Sequence, residues 1–98
     1  IWIMVPVLAL VGCVSTPAPP VPDEAMAATS RVKLETLAKG HEVYMSECTR
    51  CHEAWMPANI SSEDWHVVVP GMAWNANISA TDEEALLAYI MAARKAAP

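Results

Sequence analysis

Two cysteines and a histidine stand close together in the middle of the chain, at Cys48, Cys51 and His52. Cysteines three positions apart lie on the same side of a helical turn, so both sulfurs can reach one edge of a planar group. The spacing Cys-x-x-Cys-His is the signature for covalent attachment of a c-type haem, with the histidine as the proximal iron ligand. We therefore expect one covalent haem c, held by these three residues.

Closely spaced cysteines also occur in redox pairs and in zinc sites, both of which the rest of the sequence disfavours. A thioredoxin-type redox pair is expected in a βαβ setting, whereas the remaining sequence predicts helices. A structural zinc site takes four ligands, usually with a second Cys or His pair at short spacing. The remaining candidates are Cys13, His41 and His66, and they form no such pair. Haem attachment is therefore favoured over a redox pair, a zinc site or chance.

The elements that must position these residues are predicted to be three helices, with no sheet. The first spans about residues 30–47, has Ser30 as its N-cap and leads directly into the first cysteine. The second is short, about residues 62–69, with acidic residues in its first turn. Pro70 and Gly71 are predicted to end it, since both residues interrupt helices.

The third predicted helix lies near the end of the chain, over about residues 80–95. Ser79 is its expected N-cap, and acidic and basic residues stand at the ends that the helix dipole favours. Its apolar residues recur at i, i+3, i+4 and i+7, which is the spacing of one buried helix face. This inward stripe consists of Leu86, Tyr89, Ile90 and Ala93.

The chain starts with Ile1–Leu10, an apolar run without charge that is shorter than the about 20 residues needed to span a bilayer. Such a run is typical of the core of a secretory signal, and the missing basic start leads us to expect an earlier natural N-terminus. The following Leu10-Val11-Gly12-Cys13 resembles a bacterial lipoprotein signal. That resemblance implies cleavage after residues 1–12, a lipid on the Cys13 sulfur, and membrane anchoring outside the cytoplasm.

Residues 13–28 are rich in proline, with Pro17, Pro19, Pro20 and Pro22. Such a segment favours polyproline II over a packed core, so we expect a linker that lifts the domain off the membrane. The haem domain is then predicted to span residues 29–98. A core of this size needs a staple, and a covalent haem would supply one.

The pattern Gly40-x3-Tyr44-x3-Cys48, followed by the second cysteine and the histidine, resembles small monohaem class I cytochromes c. The end of the chain is similar to the last helix of that family. The resemblance covers about residues 33–95 and implies an all-α fold wrapped around one haem. It further implies that the first and last helices approach each other at Gly40, with Tyr89 packed there.

The family places an axial methionine in the loop before its last helix, and Met72 occupies that position after Pro70-Gly71. The resemblance therefore implies that His52 and Met72 hold the iron from its two sides. His66 is the alternative, giving bis-histidine ligation. Of the other methionines, we assign Met45 and Met91 to the core or the surface and Met26 to the linker. Met56 follows His52 by only four residues and is poorly placed to reach the opposite haem face. Another ligand, or no sixth ligand, is the remaining alternative.

Further residues are expected around the haem. The family uses a proline carbonyl to orient the proximal histidine, and Pro57 is the candidate for that role. Three tryptophans, Trp55, Trp65 and Trp74, are predicted pocket walls. For the last two, an ordinary core position is somewhat favoured over a donor role to a haem propionate. His41 is predicted to be a solvated helix residue.

The charge of the chain favours protein partners over nucleic acid. It carries 11 acidic and 6 basic residues among 98, a net charge of −5. An acidic protein is attracted to basic docking surfaces. The predicted function is one-electron transfer by a membrane-anchored cytochrome outside the cytoplasm, without enzymatic activity. The alternatives are a haem subunit or sensor on a larger membrane complex, and a five-coordinate haem with peroxidase or gas-binding chemistry that uses His66.

Overall fold

The computed structural model describes residues 18–48 and 55–96. This part of the chain forms helices α1 (Glu24–Ser30), α2 (Leu34–Glu47), α3 (Ser62–Ala76) and α4 (Ala80–Ala96), with a 3-10 turn at Pro57–Asn59 and no strand. The predicted all-α class is therefore confirmed for the described residues. The predicted signal segment 1–12, Cys13, Cys51 and His52 lie outside them.

The close crossing of α2 and α4 forms the centre of the fold. A Cβ added at Gly40 would meet the Ala85 carbonyl oxygen and would lie 2.6 Å from the Tyr89 Cβ. Only glycine permits this approach, which confirms the expectation that Gly40 is the crossing point and that Tyr89 packs there. The benefit is the burial of both helix faces, which exceeds the cost of glycine in a helix interior, about 1 kcal/mol.

Helix α4 contacts every other described element, including α1, α2, α3 and the 3-10 turn. Its predicted inward stripe is confirmed, since all four members are fully buried: Leu86, Tyr89, Ile90 and Ala93. Its predicted start is also confirmed, because the Ser79 hydroxyl accepts a hydrogen bond from the Asp82 N–H at 3.2 Å. A helix buried along this stripe can organise a small core by itself.

The proline-rich segment does not stay extended throughout, so the expectation that it packs no core is wrong for its C-terminal half. Residues from Glu24 form α1, with Asp23 as N-cap, its carboxylate accepting from the Met26 N–H at 2.8 Å. Met26 is buried in the common core. The Tyr89 hydroxyl also donates to the Pro20 carbonyl at 2.7 Å. These contacts outweigh the extended preference of the prolines.

Helix α2 begins later than predicted, at Leu34 rather than at Ser30. Arg31 adopts the left-handed conformation, with φ 60°, and ends α1. Ser30 is therefore not an N-cap of α2, and it is the last residue of α1. The predicted helix therefore started four residues too early, and α1 was not predicted.

Helix α3 continues to Ala76, so the prediction that Pro70 and Gly71 end it is wrong. Ser61 caps its start, accepting from the Asp64 N–H at 3.0 Å. A proline inside a helix removes one hydrogen bond and distorts the turn before it. The helix persists because residues on both sides of the proline pack against the core, and it ends at Asn77, whose φ is 56°.

None of the helices in residues 18–48 and 55–96 is long and apolar enough to cross a membrane.

Candidate functional site

A narrow apolar cleft lies between the end of α2 and the middle of α3. Cys48 stands at the C-cap of α2, and Met72 projects from α3. Both sulfur-containing side chains line the cleft, together with Tyr44, Trp55 and Trp65. The structure therefore brings together two of the predicted site residues, the first cysteine of the haem motif and the predicted axial methionine, although they are distant in the chain.

Met72 reaches the cleft from a helix, so its predicted position in a loop is wrong. On a helix, residues at i, i+4, i+7 and i+8 share one face. The members of that face in α3 are Trp65, Val69, Met72 and Ala73, of which Met72 is half-buried and the others are buried. The continuation of α3 through Pro70-Gly71 therefore fixes the direction of the Met72 side chain, which a loop would have left open.

Two hydrogen bonds hold the aromatic walls of the cleft. The Trp65 indole N–H donates to the Pro57 carbonyl at 2.8 Å, and both residues are buried. The Tyr44 hydroxyl donates to the Trp55 carbonyl. The Tyr44 and Trp65 rings meet edge to face, with centroids 6.3 Å apart. These walls tie the segment after the haem motif to α2 and α3.

Cys48 is buried at the inner end of the cleft. Burial, and then the neighbouring Glu47 charge, raise the pKa of its thiol to about 11. A thiol with this pKa stays protonated near neutral pH and is a poor nucleophile.

The predicted surroundings of the remaining tryptophan and of the two described histidines are confirmed for one residue and wrong for the other two. Trp74 is 87% exposed, so it is neither a pocket wall nor a core residue. His66 is exposed, as expected for a residue outside the site, with its Nδ1 2.7 Å from the Ser62 carbonyl oxygen. His41 is half-buried instead of solvated, packed edge to face on Tyr89 at 5.2 Å, and burial lowers its pKa.

The other methionines lie away from the cleft. Met26 belongs to the core, and Met91 packs against it. The Met91 sulfur accepts a hydrogen bond from the Ser62 hydroxyl at 3.4 Å. Met45 is 40% exposed on α2. Met56 is half-buried beside the 3-10 turn. Among the described methionines, only Met72 lines the cleft with Cys48.

The residues of the cleft fit a haem in their chemistry, whereas the volume of the cleft is far below that of a porphyrin. A thioether sulfur and aromatic walls suit a haem iron and the apolar face of a porphyrin. The cleft encloses about 10 Å³, roughly the room for one water molecule.

Sequence reasoning missed the role of Tyr44 as a cleft wall that also binds the Trp55 carbonyl. A signal for it exists, since Tyr44 and Cys48 are four residues apart and share a helix face. The Pro57 carbonyl accepts the Trp65 indole N–H, and its expected contact with the proximal histidine stays a prediction because His52 lies outside the described residues. Within the described ranges, no group of three or more His, Cys, Asp or Glu side chains forms a metal-binding cluster.

No known family, curated protein or solved structure matches the chain. Membership of the class I cytochromes c therefore stays a prediction from the residue pattern.

Proposed function

We propose that this chain is a monohaem c-type cytochrome that transfers single electrons outside the cytoplasm, anchored to a membrane by a lipid on Cys13. One observation carries the proposal. Cys48, which opens the Cys-x-x-Cys-His motif, and Met72, the expected axial ligand, line the same apolar cleft.

Each residue of the site has a distinct role in the proposal. A bound haem c supplies a metal centre that accepts and releases one electron. Cys48 and Cys51 would anchor it covalently, and His52 and Met72 would bind its iron. A neutral thioether paired with an imidazole favours the reduced state, which raises the potential relative to two histidines. Tyr44 and Trp65 exclude water, which strengthens this preference because the site is then less polar.

The alternative with a five-coordinate haem has less support. Peroxidase or gas chemistry needs an acid–base group on the open side of the iron. His66 is the candidate for that group, and its exposed side chain lies beside the Ser62 carbonyl instead of in the cleft. The alternative of a haem subunit docked on a larger complex is compatible with electron transfer and shares the same site.

The test is the visible spectrum of the protein produced with a c-type haem attachment system. We expect one haem per chain, bound covalently, and the weak long-wavelength band of methionine-to-iron ligation in the oxidised protein. Met72→Ala should abolish that band, lower the potential and open the iron to carbon monoxide. Met45→Ala is the matched control, since it removes a methionine that does not line the cleft.

Two results would contradict the proposal. Absence of covalent haem in the intact chain would refute the cytochrome assignment altogether. Retention of the long-wavelength band in Met72→Ala would refute Met72 as the iron ligand. Loss of the same band in His66→Ala would point to His66 as a contributor to the iron site. Mass spectrometry of the membrane-bound protein tests the anchor separately, because diacylglycerol on Cys13 adds a defined mass that Cys13→Ser removes.

A further inference from the structure

Helix α3 carries a second apolar face, opposite the one that lines the cleft. Its members recur at i, i+3, i+4 and i+7, the spacing of one helix face, and all are exposed: Val67, Pro70, Gly71 and Trp74. We call this set the α3 stripe. Val67 is 75% exposed and Trp74 is 87% exposed, the two largest exposures among the large apolar side chains of the described residues.

Among residues 18–48 and 55–96, no contact accounts for the composition of the α3 stripe. A Cβ added at Gly71 would meet no atom of these residues within 4 Å, so this glycine serves no packing within the described part of the chain. Pro70 lacks an N–H, so it cannot donate the helical hydrogen bond to the His66 carbonyl, four residues earlier. The proline therefore adds nothing to the stability of the helix. An exposed tryptophan is a typical anchor for a protein partner, since Trp is enriched among the residues that dominate binding.

The charges beside the α3 stripe indicate what kind of partner fits it. Glu63 lies four residues before Val67, on the same face of α3. Asp64 lies three residues before Val67, beside that face. Both carboxylates are exposed, and α3 contains no lysine or arginine. If a second copy of this chain paired in parallel through the same face, the carboxylates of the two copies would lie close together and repel each other. An anionic membrane would also be repelled by these carboxylates. Charge complementarity therefore favours a partner with a basic surface.

We infer that the α3 stripe is the docking surface for a protein partner that presents an apolar patch bordered by Lys or Arg. The same helix places Met72 on its other side, so a partner docked here lies about one helix diameter, roughly 10 Å, from the cleft. Identifying the partner as a redox protein rests on the proposed function, whereas the binding surface itself does not.

The test uses the haem-loaded full-length chain and two synthetic amphipathic helices as probes. Both probes carry leucines at i, i+3, i+4 and i+7, flanked by lysines in one and by glutamates in the other. We expect the lysine probe to bind more tightly than the glutamate probe, with an affinity that falls as salt rises. Trp74→Ser should raise the dissociation constant of the lysine probe by about tenfold or more, the effect typical of a dominant binding residue. Glu63→Gln with Asp64→Asn should flatten the salt dependence.

Val21→Ser is the matched control, because Val21 is 72% exposed but lies before α1, outside the α3 stripe. It should leave the dissociation constant nearly unchanged. Equal binding of the lysine probe by wild type and Trp74→Ser would overturn the inference, as would equal binding of the two probes. The haem spectrum of each variant is recorded first, so a failed haem site and a failed docking surface give different results.

Two other occupants of the α3 stripe are tested directly. Self-association in sedimentation that Trp74→Ser abolishes would assign the surface to a second copy of the chain. Binding to phosphatidylcholine vesicles that Trp74→Ser abolishes, measured in a Cys13→Ser background, would assign it to lipid. Either result would overturn the inference of a basic protein partner.

Discussion

Two helical glycines with opposite surroundings illustrate how single residues control this fold. Gly40 is buried where α2 meets α4, and a methyl group there would collide with backbone that cannot yield. Gly71 is exposed in α3, and a methyl group there would enter open space. Neither glycine has a positive φ, so the difference between them is one of packing alone.

Gly40→Ala should lower the free energy of unfolding by about 1–3 kcal/mol, because overpacking forces the two helices apart. Gly71→Ala adds the same methyl group and should raise the free energy of unfolding by up to about 1 kcal/mol, since alanine is the better helix former. Urea denaturation followed by circular dichroism measures both. Equal effects of the two substitutions would contradict the assignment of Gly40 as the crossing point.

Tyr44 and Tyr89 make stability depend on alkaline pH. Burial, and then the nearby Cys48, raise the pKa of Tyr44 to about 12. Burial, and then the nearby Tyr44, raise the pKa of Tyr89 further above its usual value. The unfolded chain therefore releases these protons first as pH rises. The stabilisation is fully present below pH about 10 and is lost as pH rises through the folded-state pKa values.

We expect the urea midpoint of the haem-loaded protein to fall as pH rises above about 10, the pKa of tyrosine in an unfolded chain. Tyr44→Phe should reduce this fall, because phenylalanine has no proton to release. The measurement is a series of urea titrations at increasing pH for both proteins. An identical pH dependence of wild type and Tyr44→Phe would show that another group causes the alkaline transition.

At the scale of elements, helix α3 shows packing outweighing local preference. An interior proline disfavours a helix by about 3 kcal/mol and a glycine by about 1 kcal/mol. Trp65 and Val69 precede the proline, so their burial requires only the first part of α3. After the proline, α3 buries Ala73 and part of Met72, and the packing of these two residues favours the continuation of the helix to Ala76.

Helix α1 is a second element whose position depends on tertiary contacts. Seven residues are too few for a stable isolated helix, so α1 needs its packing on α4. Met26 supplies the apolar contact, and the Tyr89 hydroxyl ties the preceding segment through the Pro20 carbonyl. The proline-rich segment is therefore fastened to the domain at its C-terminal end.

Tyr89→Phe removes only that hydroxyl and should lower the free energy of unfolding by about 0.5–1.5 kcal/mol. It should also speed tryptic cleavage after the exposed Arg31, because α1 would detach more often. Limited proteolysis with mass spectrometry measures this rate. Ser46→Ala is the control, since the Ser46 hydroxyl bonds within α2, to the Glu42 and Val43 carbonyls. Equal cleavage rates in wild type and Tyr89→Phe would contradict the role of the bond.

At the scale of the whole molecule, the described helices share one small core. Its larger members meet where α2, α3 and α4 converge, and the cleft of Cys48 and Met72 opens directly beside them. A core of this size contributes little net stability without a further link. A covalent group that joined α2 to α3 through this cleft would connect the two helices that α4 otherwise holds together.

We therefore expect a haem-free variant, Cys48→Ala with Cys51→Ala, to lose most of its helical circular dichroism at room temperature. The haem-loaded protein should keep it and unfold in one cooperative transition. Far-ultraviolet circular dichroism of both proteins measures the difference. A haem-free variant with native helical content and an unchanged urea midpoint would show that the helices need no such link.

Features that depend on local spacing could be predicted from the sequence alone. The haem motif, the inward stripe of α4 and the Ser79 cap follow from short-range patterns, and the described residues confirm the last two. The motif itself lies partly outside the described residues. Spacing is sufficient for these three features because each is fixed by residues within a few turns of one helix. The crossing at Gly40 is implied only by the family resemblance, and the contacts between α2 and α4 confirm it.

Only the tertiary structure decided the features that depend on distant partners. Local rules ended α3 at Pro70 and left Met72 in a loop, whereas packing on the core kept α3 helical and aimed Met72 at the cleft. Local rules also left the proline-rich segment extended, whereas Tyr89 and the core hold its end in place. The physical reason is the same in both cases, since burial of apolar side chains against distant elements outweighs the preference of the local backbone.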